Sequence, residues 1–301
     1  MSPPFPPLYL AGQTGSGKTS VALALAKQYG PVEIVNADAY QVYREMDILT
    51  AAPLKEERET VPHHLFGILD PSEECDAATF ATLAKQTIAE VSQRARPLVV
   101  SGSGLYLKAI THGLAPTPPA DPELRKKLDQ LAEEELIAQY KAADPAGAGQ
   151  TNLKNRRYVT RNLEITLLAG RPASEIKSEW QENQPDIAAV YLHREREDIY
   201  DRINRRTFQM FDAGVVEEVA ALGPLSNTAA RAIGVREIQA FLAGEMERDT
   251  CLEEIQTLTR RYAKRQEIWF RRDSAFLRIP LQPGDKAEEI ASSVAKAALL
   301  S

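Results

Sequence analysis

The sequence predicts an α/β fold in which a parallel sheet carries helices on both faces and a helical insertion interrupts the chain. Over residues 8–114, short apolar runs alternate with amphipathic helical stretches, which is typical of parallel sheets. A proline-rich joint at 115–120 and a charge-rich helical stretch follow, and an apolar, strand-like run returns at 190–193. We therefore divide the chain into a first core part (1–114), a helical insertion (115–187) and a second core part (188–301).

The individual elements follow from local patterns. Apolar runs of strand length predict β-strands at 8–11, 32–35, 64–69, 97–101, 190–193 and 276–279. Helical periodicity predicts helices from about Lys18, over 77–95, after Gly104, from 121 to about 185, and through most of the C-terminal third. The strands at 8–11 and 97–101 both end at glycine-containing loops, where the carboxyl edge of a parallel sheet binds ligands.

Composition indicates an ordinary globular protein. The chain has 301 residues, of which 44% are hydrophobic and 26% charged, enough for two domains. We expect no membrane span and no signal peptide, because no apolar run is long enough for either. Cys75 and Cys251 lie far apart, which favours the cytoplasm and argues against a disulfide or a zinc site. The net charge of −6 argues against a uniformly basic nucleic-acid binder, although a local basic stripe could still bind RNA.

Residues 12–19 (GQTGSGKT) form a phosphate-binding loop motif between a predicted strand and a predicted helix. Glycines let backbone amides surround a phosphate, and the helix N-terminus adds a positive field. Lys18 neutralises phosphate charge, and the Thr19 hydroxyl is suited to ligate Mg²⁺. The predicted phosphate-binding set is Gly12, Gln13, Thr14, Gly15, Ser16, Gly17, Lys18 and Thr19. The motif alone does not identify the phosphate compound or the reaction.

Six further segments carry distinctive sequences. They are 38–53 (DAYQVYREMDILTAAP), 61–65 (VPHHL), 102–106 (GSGLY), 157–164 (RYVTRNLE), 231–237 (RAIGVRE) and 259–271 (TRRYAKRQEIWFR). In this order they resemble the motifs of tRNA dimethylallyltransferases, also called tRNA isopentenyltransferases. The chain departs from the family pattern at Ala39, Ala52, Ser103, Tyr158 and Asn162.

The resemblance implies transfer of a dimethylallyl group from dimethylallyl diphosphate to the exocyclic amine of an adenosine next to the anticodon of tRNA. It makes Asp38 the base that takes the amine proton, whereas the residues alone would also allow a turn residue at a strand end. The amine is a poor nucleophile, so a general base would lower the barrier. Lys18, Thr19 and Mg²⁺ would stabilise the departing diphosphate, and Ser103 would lie against the target nucleotide. The predicted catalytic residues are therefore Asp38, Thr19 and Ser103.

Contacts to the tRNA anticodon stem-loop are predicted for residues in several parts of the chain. Arg157 and Arg161 share a helical face suited to phosphate contact, with a solvated face as the alternative, and Arg261 with Arg265 forms part of a basic ridge on one helix. The contact of Arg125 is implied by the resemblance alone. The full predicted tRNA-binding set is Asp38, Ala39, Tyr40, Gln41, Ser103, Arg125, Arg157, Arg161, Arg231, Arg236, Arg261 and Arg265. We expect the protein to act as a monomer.

Three alternative functions share parts of this pattern. An adenylate isopentenyltransferase would use free nucleotide and would need neither the insertion nor the basic helix. A P-loop nucleotide kinase would turn over nucleoside triphosphates and would leave the 38–53 segment unexplained. An RNA-binding paralogue without turnover would fit the departures at Ala39, Ala52 and Tyr158.

Overall fold

A computed structural model describes residues 4–180 and 186–299. The chain divides into two compact units, Met1–Thr111 together with Pro185–Ser301, and His112–Gln184. The domain boundaries stay a prediction from the sequence. The same holds for the tRNA contact assigned to the insertion. Residues 181–185, the last of the stretch predicted as helical, lie outside the described residues.

The first unit contains a single parallel sheet, as predicted. In the described part of the chain its strands follow the spatial order β3-β2-β4-β1-β5-β6, and every neighbouring pair is parallel. The strands are β1 (Leu8–Gly12), β2 (Val32–Asn36), β3 (His63–His64), β4 (Arg96–Ser101), β5 (Ala188–Arg194) and β6 (Leu277–Leu281). Because β1 lies at the centre, the loop that follows it opens at the middle of the carboxyl edge.

Helices make up most of the remaining chain. The first unit begins with α1 (Lys18–Gln28), α2 (Asp47–Thr50), α3 (Lys55–Thr60), α4 (Ala77–Val91) and α5 (Gly104–Thr111). The second unit contains α6 (Pro122–Gln130), α7 (Glu133–Ala143), α8 (Pro145–Gln150), α9 (Arg156–Ala169) and α10 (Ala173–Glu179). The first unit then resumes with α11 (Arg196–Asp212), α12 (Val215–Ala221), a 3₁₀ turn (Ala229–Arg231), α13 (Val235–Leu242), α14 (Arg248–Phe270) and α15 (Ala287–Leu299).

Helices cover both faces of the sheet because successive apolar side chains along each strand point to opposite faces. On β1, Leu8 and Leu10 join a core with α1 and α15, whereas Tyr9 and Ala11 join a larger core with α4, α5 and α12–α14. Burial of both sets stabilises the sheet and fixes its register. None of the described helices combines the length and apolarity needed to span a bilayer.

The third strand is shorter than the sequence predicts. In place of the predicted strand at 64–69, the described chain has β3, which pairs with β2 at His63 and His64. Leu65 and Gly67 then adopt positive φ angles of 64° and 57°, so the chain leaves the sheet. The Ile68 amide bonds the Val42 carbonyl at 2.8 Å instead of continuing the ladder. This turn brings the segment against the chain that follows β2.

Candidate active site

A cavity of about 540 Å³ opens at the carboxyl edge of the sheet, inside the first unit. Its floor is the loop after β1, and its walls are the chain segments after β2 and β4 together with faces of α11 and α14. This position at the centre of a parallel sheet is where α/β folds bind ligands. The cavity is polar at the phosphate-loop end and apolar near Leu49, Ile233 and Ile255. Its two ends therefore suit a ligand with an anionic head and a hydrocarbon tail.

The loop over residues 12–19 adopts the conformation that a phosphate requires. Gly15 and Gly17 have φ angles of 82° and 94°, which other residues rarely adopt, and α1 begins directly after them. Lys18 folds back so that Nζ donates to the carbonyl oxygens of Gly12 and Gln13, both at 2.9 Å. Within the described part of the chain, the buried Ser16 Oγ has no hydrogen-bond partner. These features fit an anion that accepts hydrogen bonds from the loop.

Desolvation shapes the charge of this end of the cavity. Burial lowers the pKa of Lys18 to about 8, while the nearby Asp38 carboxylate acts in the opposite direction and Arg206 adds to the lowering. Burial also lowers the pKa of Arg206. The protein therefore holds two cations in a poorly solvated place, where an anionic ligand would supply the missing compensation.

Arginines of α11 complete the phosphate end, and the sequence analysis did not single them out. Arg206 donates to Thr14 Oγ1 at 2.7 Å, and Arg202 donates to the Gly15 carbonyl at 2.6 Å. Arg205 lines the same cavity. The signal that could have found them is their spacing, because residues three and four apart share a helical face. Their basic face is turned toward the phosphate loop.

Asp38 follows β2 and lines the cavity together with the phosphate loop. Its Oδ1 accepts the Tyr40 amide at 3.0 Å, and its own amide donates to Asn36 Oδ1 at 2.8 Å. Asn36 is fully buried and donates to the Leu65 carbonyl at 2.9 Å, which ties the strand end to the turn after β3. The carboxylate is therefore held in one orientation beside Lys18, and it can accept a proton from a bound ligand.

One wall of the cavity is built from α2 and the residue that follows it. Glu218 of α12 accepts the amides of Ile48 and Leu49, both at 2.8 Å, which caps this short helix. Gln41 donates to the carbonyls of Thr50 and Ala51 at 3.1 and 3.2 Å. The predicted contact residue Gln41 thus lines the cavity while shaping its wall.

The loop after β4 contributes backbone more than side chains. Ser101 and Gly102 line the cavity, and Ser103 follows them without appearing in its lining. The Ser103 amide donates to Ser101 Oγ at 3.0 Å, and Ser101 Oγ donates to the Ala37 carbonyl at 2.7 Å. The two strand ends that carry Asp38 and Ser103 are therefore tied together. The catalytic and nucleotide-contact role assigned to Ser103 stays a prediction.

The other predicted tRNA-binding residues of the first unit fall in two places. Tyr40, Arg231 and Arg265 line the cavity with Asp38 and Gln41. The Arg265 guanidinium lies 5.5 Å from the ring centroid of Tyr262, a cavity residue that the sequence analysis did not select. Ala39 is buried, whereas Arg236 and Arg261 are exposed on the surface outside the cavity lining.

In the second unit, two of the three predicted arginines have an internal partner. Arg125 and Arg161 both pair with the fully buried Glu164, at 2.6 and 2.7 Å. Arg161 also donates to the Pro118 carbonyl at 2.7 Å. Breaking this cluster would leave an unpaired buried carboxylate, so both arginines stabilise the insertion. Arg157 is exposed. RNA contact by these three residues stays a prediction.

A divalent cation fits the phosphate end by its donor chemistry. The Thr19 side chain lines the cavity beside Lys18 and offers a hydroxyl oxygen. Mg²⁺ prefers oxygen ligands and usually keeps several waters beside one or two protein groups and the phosphates of a ligand. The described residues contain no cluster of three or more acidic, histidine or cysteine side chains that would form a protein-only metal site.

These features define the class of the protein: an α/β enzyme of the P-loop type, in which one cavity combines a phosphate loop, a fixed carboxylate and an apolar part of the lining. The family model described as IPP transferase matches residues 41–273. The chain belongs to this family, and the resemblance found in the sequence is confirmed.

Individual relatives agree with this assignment. A tRNA dimethylallyltransferase of Akkermansia muciniphila is 41% identical over 288 residues, covering 95% of this chain and 97% of the relative. A tRNA dimethylallyltransferase of Geobacter sulfurreducens is 41% identical over 277 residues, covering 88% and 89% of the two chains. The crystal structure of the full-length tRNA isopentenylpyrophosphate transferase from Bacillus halodurans matches with a TM-score of 0.69 and 31% identity, over 98% of this chain and 97% of that one.

A further structure supports the fold alone. A eukaryotic dimethylallyltransferase acting on tRNA matches with a TM-score of 0.77 at 24% identity, over 98% of this chain and 77% of that one. The predicted fold class, a P-loop parallel sheet with helices on both faces, is confirmed.

Proposed function

We propose that this protein transfers a dimethylallyl group from dimethylallyl diphosphate to the exocyclic amine of an adenosine next to the anticodon of tRNA, releasing diphosphate. One observation carries the proposal: a single cavity joins a phosphate loop to the fixed carboxylate of Asp38, with an apolar compartment lined by Leu49 and Ile255. A prenyl diphosphate and an amine nucleophile need these three environments together.

The diphosphate would bind at residues 12–19, where Lys18 and the loop amides neutralise its charge. Arg206 lies beside Thr14 and adds a second cation. Mg²⁺ held at Thr19 would add further positive charge on the leaving group. These groups stabilise the charge that builds on the bridging oxygen as the bond from carbon to oxygen breaks.

Asp38 would act on the nucleophile. As the adenine nitrogen forms its bond to the allylic carbon, the carboxylate accepts a proton from that nitrogen, and the electron pair of the broken bond leaves with diphosphate. General-base help of this kind is worth about 10² to 10⁴-fold in rate. The Tyr40 amide, which donates to Oδ1 at 3.0 Å, holds the carboxylate in the orientation this step needs.

The acceptor is assigned to tRNA because the relatives bear the name tRNA dimethylallyltransferase. The exposed Arg261 and the cavity-lining Arg231 and Arg265 would bind RNA phosphates around the entrance, and the insertion would add contacts. We further propose that the protein functions in the cytoplasm and acts as a monomer.

The proposal is tested by offering labelled dimethylallyl diphosphate and Mg²⁺ with either tRNA or AMP. We expect label in tRNA and none in AMP. Label in AMP would identify an adenylate prenyltransferase. In a parallel incubation with ATP, turnover of ATP with neither acceptor labelled would indicate a kinase. Intact tRNA binding without label transfer would indicate an RNA-binding protein that lacks this activity.

A further inference from the structure

Gln266 of α14 lies where two active-site loops meet. Its Oε1 accepts the Thr14 amide at 2.8 Å, and its Nε2 donates to the Gly102 carbonyl at 2.7 Å. Only 4% of the residue is exposed. One neutral side chain therefore bonds the phosphate loop after β1 and the loop after β4 at the same time.

The approach of Gln266 to Gly102 is close enough to exclude a side chain there. A Cβ built on Gly102 would lie 2.6 Å from Gln266 Nε2 and 3.5 Å from Lys18 Nζ. The amide and the Lys18 ammonium therefore flank the same point of the backbone. A displacement of Gln266 would therefore also affect the position of Lys18, the cation that would bind the diphosphate.

A neighbouring contact attaches the same helix to the same loop. Gln13 Nε2 donates to the Ala263 carbonyl at 3.3 Å, and Tyr262 lines the cavity together with Gln266. Tyr262 in turn faces Asp38, whose charge contributes to raising the pKa of that tyrosine after the larger effect of burial. The segment 262–266 therefore contacts the phosphate end and lies beside the carboxylate.

We propose that Gln266 is a positioning residue, which sets the distance between the phosphate loop and the loop after β4 and thereby aligns a bound diphosphate with Asp38. The proposal rests on the proposed function for its effect on turnover. An amide suits the task because it presents an acceptor and a donor together, one for each loop. A misplacement of about 1 Å in such a site costs up to about 10²-fold in rate.

The first test compares Gln266→Met with Gln256→Met. Gln256 is also buried on α14, but it donates to the Asn204 carbonyl at 3.3 Å and is absent from the cavity lining. For Gln266→Met we expect about tenfold weaker binding of inorganic diphosphate by calorimetry, and turnover reduced about 10 to 100-fold. For Gln256→Met we expect the diphosphate affinity and the turnover to stay within about twofold of wild type, while its Tm falls by about as much as that of Gln266→Met.

The second test is rescue by Gln266→Glu. A protonated carboxyl presents one acceptor and one donor, as the amide does, whereas a carboxylate offers only acceptors to the Gly102 carbonyl. We expect the turnover of Gln266→Glu, divided by that of wild type, to rise as the pH falls from about 8 to about 5.5. Dividing by the turnover of wild type corrects for pH effects that arise from Lys18 and Tyr262, which lie beside Gln266. Gln266→Met should show no such rise.

The outcomes separate this proposal from the proposed function. If wild type prenylates tRNA but Gln266→Met matches Gln256→Met in diphosphate affinity and turnover, Gln266 is only a packing residue and the proposal is overturned. A defect of Gln266→Glu that is independent of pH would also contradict it. If wild type does not prenylate tRNA, the function is wrong, and the affinities for inorganic diphosphate alone decide the role of Gln266.

Discussion

Raising the pH above neutrality should weaken diphosphate binding, because Lys18 loses its proton in the free protein. Burial lowers the pKa of this ammonium to about 8. A bound diphosphate would restore it toward the ordinary value of about 10.4, so binding takes up a proton between these two pH values. The affinity should then fall by up to tenfold per pH unit, reaching about 30-fold, or about 2 kcal/mol, near pH 9.5.

The assay is calorimetric titration of inorganic diphosphate from about pH 7 to about pH 9.5. Lys18→Met is the control, since it keeps the bulk of the side chain but has no proton to lose. It should bind diphosphate more weakly at neutral pH, and any pH dependence that it keeps measures the ionisation of the diphosphate itself. A flat profile for wild type, or the same decline in Lys18→Met, would refute this account of the phosphate site.

Three other predictions concern the base and the RNA. Asp38→Asn should reduce single-turnover rates by about 10² to 10⁴-fold with diphosphate affinity nearly unchanged; recovery of the rate in excess Mg²⁺ would instead assign Asp38 to metal binding. Arg261→Gln should reduce the slope of log affinity for tRNA against log salt by about one unit, whereas Lys296→Gln, exposed on α15, should leave it unchanged; equal slopes would remove Arg261 from the RNA surface. A fluorescent adenine analogue at the target position should brighten on binding, because the base must leave its stack to reach the cavity; constant fluorescence with intact binding would argue against extrusion.

The sheet could be predicted because its strands are buried on both faces and read as continuous apolar runs. The strand at 8–12 and the glycine-rich loop that follows it specify both an element and a ligand site within a dozen residues. The segment 64–69 looked like a strand for the same reason. Positive φ angles at Leu65 and Gly67 end it after His64, and a non-glycine residue in that conformation leaves no sequence signal.

The residues that line the cavity could be predicted where the contacts are local and were missed where they are distant. Lys18 follows from the motif, and Asp38 from a strand end together with the family resemblance; both line the cavity, while the base role of Asp38 stays a prediction. Arg202 and Arg206 contact the phosphate loop, which lies about 190 positions earlier in the sequence. Acidic residues alternate with them on α11, and such a mixed-charge pattern is typical of a solvated helix. Which face of α11 meets the loop depends on tertiary packing, which the helical period alone does not reveal.

The same limitation applies to the predicted basic surfaces. Arg260 lies on α14 next to Arg261, which is assigned to RNA, yet Arg260 donates to Asn204 Oδ1 at 2.6 Å and so joins α14 to α11. Arg125 and Arg161 are equally plausible RNA contacts by sequence, but they surround the buried Glu164. Charge patterns show where cations lie along the chain, whereas their partners depend on which elements pack together.

The central claim is that the phosphate loop serves transfer of a carbon group and not of a phosphoryl group. It is tested most directly with dimethylallyl diphosphate labelled separately at the allylic carbon and at phosphorus, incubated with Mg²⁺, tRNA and the protein. We predict that all transferred carbon label appears in tRNA and that an equal amount of phosphorus label appears as free diphosphate. Phosphorus label in tRNA or in a nucleotide, or diphosphate release without carbon in tRNA, would contradict the claim.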